Sequence, residues 1–355
     1  MGALGFLVRR VGICLVLLLL LTLITFVLFV KIPSEPAGYL VDVQRSTPAE
    51  IAHARHLLGA DQPIWTQYAK YVWRLAHADF GRDWQTSGIS ASGEFIPGAP
   101  VRGELWGAAG VTASLVFGGA LVLLLVSVPL GTLAASRPNS FLDRLITGVS
   151  LVGISTHPLV VALLAQLFFA KRWHIFPING YCPLHKPPGY LGVEACNPGV
   201  VDWVKHLILP WITFALFFVA LYARVVRARM IEILREPFIR TARAKGASPG
   251  RVVRRHALPN AWLPIVTMIG MDVGTAIGVA VYIETVFNLP GLGYKTVQAI
   301  ATGNLNVPVV VGIVFFSGAA IMLINLLLDL LYAVIDPRIA DRGRRVAAGP
   351  AARVT

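Results

Sequence analysis

Apolar residues run along this chain in long unbroken blocks, not in the mixed pattern of a soluble amphipathic helix. Six blocks, at about 11–30, 107–135, 142–170, 206–226, 261–287 and 307–335, each hold the roughly 20 mostly apolar residues that an α-helix needs to cross a hydrocarbon core. The pattern predicts an all-α multi-pass membrane protein with about six transmembrane helices. Arg9 and Arg10 precede the first block, as they would in a secretory signal. Its apolar core is longer than the roughly 7 to 15 residues of a signal, and no A-x-A cleavage pattern follows, so a retained anchor is expected.

The period changes between the first two blocks. "TPAEIAHARHLLGADQPIWTQYAKYVWRLAHADFGRDW" predicts two short amphipathic helices: Thr47 and Glu50 have capping-box spacing, and Trp65, Tyr68, Tyr71, Val72 and Leu75 recur at helical intervals. Such helices suit the membrane surface, where Trp and Tyr partition. Residues 84–100 are rich in Ser, Gly and Pro and read as loop. The expected organisation is a terminus and first helix over 1–30, a segment outside the bilayer over 31–106, a helical core over 107–335 and a tail over 336–355. The core is interrupted by loops at about 171–205 and 235–260.

Composition agrees, because 56% hydrophobic and 14% charged residues with a mean hydropathy of +0.69 cannot clothe a soluble surface. Charge then sets the orientation. Residues 224–259 hold ten basic and two acidic residues and the tail holds five and two, whereas 31–105 holds seven and eight. Since cytoplasmic loops carry the Lys and Arg, both termini and the Arg-rich loop are expected inside and the 31–105 segment outside. The net charge of +13 is therefore a mark of topology and not of nucleic-acid binding. The outer loop at 171–205 runs against the trend with four basic and two acidic residues.

Cys14 lies within the first apolar block and reads as a buried filler. Cys182 and Cys196 share the loop expected to face an oxidising compartment, so a disulfide is the preferred reading. Closing about 15 residues would contribute on the order of 3 kcal/mol in the chain-entropy model. The alternative, a zinc site with His174 and His185, fits no structural-zinc spacing. Gly270, Gly274 and Gly278 form a small-residue stripe for close helix packing, and Gly110, Ser114 and Gly118 form another. Spacing alone leaves open whether each meets a helix of this chain or of a second subunit.

The densest charge lies in "RTARAKGASPGRVVRRHALPNAW", residues 240–262, with six basic residues and no acidic one. Pro237 marks a kink or restart after the fourth apolar block, Gly246 a turn, and Ser248 with Pro249 an N-cap followed by proline at the first helical position. The pattern predicts a helix, a glycine turn and a short second helix. Positive-inside bias and lipid headgroups offer a simpler account of the arginines alone.

The spacing resembles the coupling loop of inner-membrane permeases of ATP-binding-cassette importers, E-A-A, three residues, G, nine residues, I-x-L-P. Arg240, Thr241 and Ala242 stand in the E-A-A places, Gly246 at the glycine, His256 at the isoleucine, and Leu258 and Pro259 at the final pair. "RTARAKG" is similar to the form used by the peptide and nickel branch, as are "GADQPIWTQYAKYVWRLAHADFGRDW", "ETVFNLPGLGYKTVQAI" and "INLLLDLLYAVIDPRI". The chain departs from that branch at Pro33, Ser34, Glu35 and Pro36, where P-G-D-P is usual.

The resemblance implies one transmembrane subunit of a binding-protein-dependent importer, most simply for short peptides, with nickel complexes or other small solutes as the alternative. Implied partners are a second, homologous permease subunit, two ATPase subunits that bind ATP and Mg, and an extracytoplasmic solute-binding protein; lipid surrounds the chain and no nucleic acid is involved. Coupling is expected to rest on Gly246 for the tight reversal, on Ser248 and Pro249 to start the next helix, and on Leu258 and Pro259 to limit play at the entry to the fifth block. Val252 and Val253 are expected to dock, with Arg251, Arg254 and Arg255 facing carboxylates.

No phosphate-binding loop G-x-x-x-x-G-K-[ST], nucleophile elbow or H-E-x-x-H helix occurs, so no cofactor, catalytic residue or metal ligand is assigned to the chain. The competing class is an ion-coupled secondary transporter, which would use acids in or near the membrane: Asp272, Glu284, and Asp329 beside Asn325. No inverted repeat is evident. Asp272, Glu284 and Asn325 are also the candidate path residues of the importer. Asp272 sits about 11 residues into the fifth block, near the bilayer midplane, so it should be neutral, paired or facing an aqueous path.

Overall fold

In the computed structural model the described residues are 3–31, 47–58, 61–83, 86, 88–89, 95–96, 98–141, 143–146, 148, 156–185, 196–301 and 305–335. Helix α1 covers Ala3–Thr25 and ends in a wider π turn, Phe26–Lys31. Short helices α2 (Pro48–Leu58) and α3 (Ile64–Ala76) follow, as the amphipathic pattern predicts. Within the stretch read as loop, β1 (Gly88–Ile89) pairs antiparallel with β2 (Phe95–Ile96). Helix α4 spans Val101–Ser136; α5, Pro158–Ala165, continues as a π-helical Gln166–Arg172. Helices α6 (Val200–Leu234) and α7 (Pro237–Ala244) precede a helical start at Pro249–Arg251. That start runs through a π-helical Val252–Ala257 into α8, Leu258–Phe287. Helices α9 (Leu292–Ala301) and α10 (Val307–Ile335) complete the described chain.

Five helices among the described residues are long and apolar enough to cross a membrane: Val8–Phe29, Val101–Ser136, Val200–Leu234, Pro264–Phe287 and Val307–Leu330. The chain is therefore a multi-pass, nearly all-helical membrane protein. The block expected as a single helix at 142–170 lies partly outside the described residues, and its described part is interrupted at His157. There the imidazole Nδ1 accepts the Leu159 N–H at 3.2 Å, and Pro158 opens α5. Proline at the first helical position favours a start rather than a continuation.

Contacts divide the chain into two units, Met1–Trp106 with Gln298–Thr355, and Gly107–Val297. In the first, α1 packs on α10, where a side chain at Gly318 would run into Leu21. Arg10 pairs with Asp329 at 3.0 Å. Phe80 stacks with Phe315, and Asn306 donates to Asp83 in a buried hydrogen bond. In the second unit, α4, α5, α6 and α8 share a core that includes Leu115, Phe214, Phe218, Tyr222 and Ile283. A side chain at Gly118 would strike the Trp211 indole, whose Nε1 donates to the Ser114 carbonyl at 2.9 Å. Part of the α4 small-residue stripe therefore seats α6 of the same chain. Gly110 meets nothing within 4 Å. Cys14 is half-exposed rather than buried.

Candidate functional site

The charged loop folds as two helices joined by a glycine turn. Helix α7 restarts at Pro237 with Glu236 in the N-cap position, and Gly246 carries φ +80°, a conformation that side-chain-bearing residues rarely adopt. Nothing lies within 4 Å of where a Cβ at Gly246 would sit, so backbone conformation and not space demands glycine. Ser248 has the extended backbone of an N-cap, ahead of Pro249, but its side chain makes no capping bond. The second helix is not the short one expected but runs through Leu258 and Pro259 without a break, continuous from Pro249 to Phe287. The π turn just before Pro259 loosens the local hydrogen-bond register, which lets the chain pass a residue that has no N–H to give.

The two faces of this projection differ. Ile239, Val252, Ala257 and Ala261 are buried with Val128, Val226, Met230 and Ile265. Val252 thus faces inward and is not a docking residue, which corrects the expectation from sequence; Val253 is half-buried against the same cluster. On the other face Arg240, Thr241, Arg243, Lys245, Arg251, Arg254 and Arg255 are exposed, Ala242 is half-buried, and Phe238 stands 43% exposed among the cations. Behind the turn a cavity of about 820 Å³ is lined by Pro129, Leu133, Val253, Leu258, Arg243 and Arg254.

Sequence reasoning missed the clamp that holds the adjoining segment. The Arg227 guanidinium grips the Asp143 carboxylate with both ends, Nη2 to Oδ2 at 2.7 Å. The Asn139 N–H adds a bond at 2.8 Å. Arg227 first, and then the Asn139 N–H, hold the Asp143 carboxyl below the usual carboxylate range against its burial, so the pair is charged at neutral pH.

The three path candidates separate. Glu284 is 0% exposed, and its carboxylate accepts from the Thr112 hydroxyl at 2.7 Å, the Gly293 N–H at 2.8 Å and the Tyr294 N–H at 3.1 Å. The Leu292 N–H donates to Thr112 Oγ1 at 2.9 Å. Glu284 therefore caps the start of α9 from a neighbouring helix and lines no open surface, contrary to the expectation that it borders a path. Gly291 and Gly293 leave room for this: a Cβ at the first would collide with the Glu284 carboxylate, and one at the second would lie 2.5 Å from Val281 Cα.

Asp272 is half-buried and accepts the Tyr222 hydroxyl of α6 at 2.9 Å. Asn325 is exposed on α10. Beside Asp272 one face of α8 is bare. Met271, Gly274, Thr275, Gly278 and Tyr282 are exposed at helical intervals, and nothing lies within 4 Å of a Cβ at Gly274 or Gly278. Gly270 is buried. Among the described residues this stripe seats no other helix. A cavity of about 490 Å³ opens on it, lined by His157, Phe217, Thr275, Gly278 and Tyr282, with His157 and Tyr282 edge to face at 4.8 Å. His157 carried no sequence signal beyond an isolated histidine in an apolar block.

Cys182 and Cys196 are joined in a disulfide. Next to it Trp203 Nε1 donates to the Tyr181 hydroxyl at 3.2 Å, and the Asn197 N–H donates to Asp202 at 3.1 Å, fixing the loop to the first turn of α6.

Comparison with known proteins gives concordant matches. Residues 127–341 match the family described as binding-protein-dependent transport system inner membrane component, and residues 3–93 match that system's N-terminal membrane component. The dipeptide transport system permease protein DppB of Escherichia coli K12 is 35% identical over 350 residues, covering 96% of this chain and 99% of the relative. The di/tripeptide transport system permease protein DppB of Pseudomonas aeruginosa UCBPP-PA14 is 34% identical, covering 95% and 98%. The probable D,D-dipeptide transport system permease protein DdpB of Escherichia coli K12 is 36% identical, covering 88% and 90%. These matches take in the helix–turn–helix as well as the spans on either side, and the chain belongs to the inner-membrane permease components of binding-protein-dependent transport systems.

Proposed function

We propose that this chain forms one half of the translocation path of an ATP-driven importer of short peptides, beside a second, homologous permease subunit. Two ATPase subunits bind and hydrolyse ATP on the cytoplasmic side, and an extracytoplasmic binding protein delivers the peptide. The names of the relatives, dipeptide and di/tripeptide permeases, support the cargo. The charge asymmetry supports both termini and the 235–260 loop inside, with 31–106 and the disulfide loop outside.

One observation carries the coupling role: the loop is a core-anchored helix–turn–helix whose free face is basic, with Phe238 exposed in its first turn. Such a face suits an acidic-rimmed apolar socket on an ATPase subunit, where a partly exposed aromatic anchors and rim charges steer. Arg240, Thr241, Arg251, Arg254 and Arg255 lie on that face; Gly246, Ser248 and Pro249 shape the turn behind it. An ion-coupled mechanism loses two of its three acids, since Glu284 is sealed in a cap and Asp329 is paired with Arg10, which leaves Asp272.

Replacing Gly246 with Val places a β-branched residue at φ +80°. The Gly246→Val complex should assemble in the membrane yet hydrolyse ATP without matching peptide uptake. Cysteine at Arg251 or Arg254 should cross-link to an ATPase subunit. Normal uptake per ATP in the Gly246 variant, together with no cross-link at either position, would refute the coupling assignment.

A further inference from the structure

Helix α3 presents three strips along its length. Tyr68, Tyr71 and Leu75 form the docked strip. The Tyr68 hydroxyl bonds Thr22 at 3.1 Å, the Tyr71 hydroxyl bonds Thr25 at 2.9 Å, and both rings lie against Phe26 at 5.3 and 5.6 Å. Burial against α1 pushes the Tyr71 phenol up to about 12, so it stays neutral and remains available as a donor. Gln67, Lys70 and Arg74 form a polar strip, with Lys70 Nζ on Gln62 Oε1 at 2.7 Å and Arg74 paired with Asp79 at 3.0 Å. The third strip, Trp65, Ala69, Trp73 and Ala76, is exposed among the described residues, with Trp65 at 79% and Trp73 at 67%, the latter against the ring of His77 at 4.3 Å.

The docking partner fixes the depth. Thr22 and Thr25 belong to the α1 span that ends at Phe29. At 1.5 Å per residue they lie roughly 10 and 6 Å inside its end, which is the depth that interfacial amphipathic helices occupy. A helix held there by two hydroxyl pairs cannot stand clear in water. At the same level of α1, Leu19, Leu23, Ile24 and Val27 are exposed apolar side chains. Tryptophan favours this boundary, where its ring is apolar and its N–H reaches polar groups.

We propose that α3 is an interfacial helix embedded in the lipid boundary, with Trp65, Ala69 and Trp73 against acyl chains and glycerol and with Lys70 and Arg74 toward the headgroup phosphates. The partner is the bilayer itself. The choice of the outer leaflet rests on the orientation given under Proposed function; the embedding does not.

The test uses the assembled transporter with Cys14→Ala, reconstituted in phosphatidylethanolamine–phosphatidylglycerol vesicles, with a nitroxide on a single cysteine replacing Trp65, Ala69, Lys70 or Trp73. Collisions with oxygen, which concentrates in lipid, should outrun collisions with a water-soluble nickel chelate at 65, 69 and 73. The ratio of oxygen to chelate collisions should fall below one at 70. Should either tryptophan variant fail to assemble, Ala69→Cys alone decides, because its small side chain lies on the same strip. Chelate-dominated collisions at 65, 69 and 73 would overturn the proposal in favour of an aqueous face, and labels shielded from both reagents would overturn it in favour of a protein cover. Labelling of Lys70→Cys in intact cells by an impermeant thiol reagent reports the leaflet separately. Its failure would reverse the orientation and leave the lipid contact standing.

Discussion

The end and the middle of the membrane-spanning part of α8 are built on opposite principles. Near Phe287 the helix is closed around one side chain: Glu284 is buried, Gly291 and Gly293 bring the next segment close, and Thr112 completes the bonding. Roughly three turns earlier the same helix is open, with Met271, Gly274, Thr275 and Gly278 exposed and a single hydrogen bond from Tyr222 to Asp272. Glycine occurs in both places for different reasons. At 291 and 293 it yields space to this chain's own atoms, whereas at 274 and 278 it leaves space that none of the described residues fills. A glycine stripe is thus a statement about approach, and only the neighbours say whose approach it serves.

Breaking the closed end should have the largest effect. Glu284→Ala strands the Thr112 hydroxyl and two N–H groups in the core, a loss on the order of 3 kcal/mol, so folded yield and thermal stability in detergent should fall sharply. A wild-type melting profile would show that the cap is dispensable. At the open middle Gly278→Leu should change the chain's own stability by less than about 0.5 kcal/mol, since the site is bare. Pairing with the second permease subunit, or peptide uptake, should nevertheless decline. Normal co-purification and normal uptake together would mean that this face is plain lipid-facing surface.

The smallest effect is expected at Asp272. Asparagine keeps an oxygen that accepts the Tyr222 hydroxyl, so assembly and uptake of Asp272→Asn should be close to wild type. A drop confined to peptides with a free amino terminus, with N-acetylated ones unchanged, would instead give the carboxylate a part in holding the cargo's ammonium.

The sequence was informative wherever the determinant is local. Apolar run length placed α10 at the bounds observed, 307–335, and the Pro237, Gly246 and Ser248–Pro249 punctuation located the helix–turn–helix and its positive-φ residue. What escaped depends on partners far along the chain. Thr112 and Glu284 are 172 positions apart and Asp143 and Arg227 are 84 apart, so neither pairing leaves a periodic trace. Val252 was misdirected because helical spacing gives an angle around the axis but not which side faces protein. The interruption before Pro158 was hidden by apolar residues on both sides, although proline itself was the available signal.

The unbroken course from Pro249 to Phe287 turns the mechanics of the molecule into those of a single rod. At 1.5 Å per residue it is roughly 55 Å long, well over the thickness of a hydrocarbon core. The packed cluster around Val252, Ala257, Ala261 and Ile265 grips it close to one end. The core shared with α4, α5 and α6 grips it again at Ala276, Ala280, Ile283 and Phe287, and the Glu284 cap ties its far end to Thr112 and the start of α9. A tilt imposed at the Gly246 turn would therefore be borne along the whole rod, past Tyr282, where the cavity beside His157 opens.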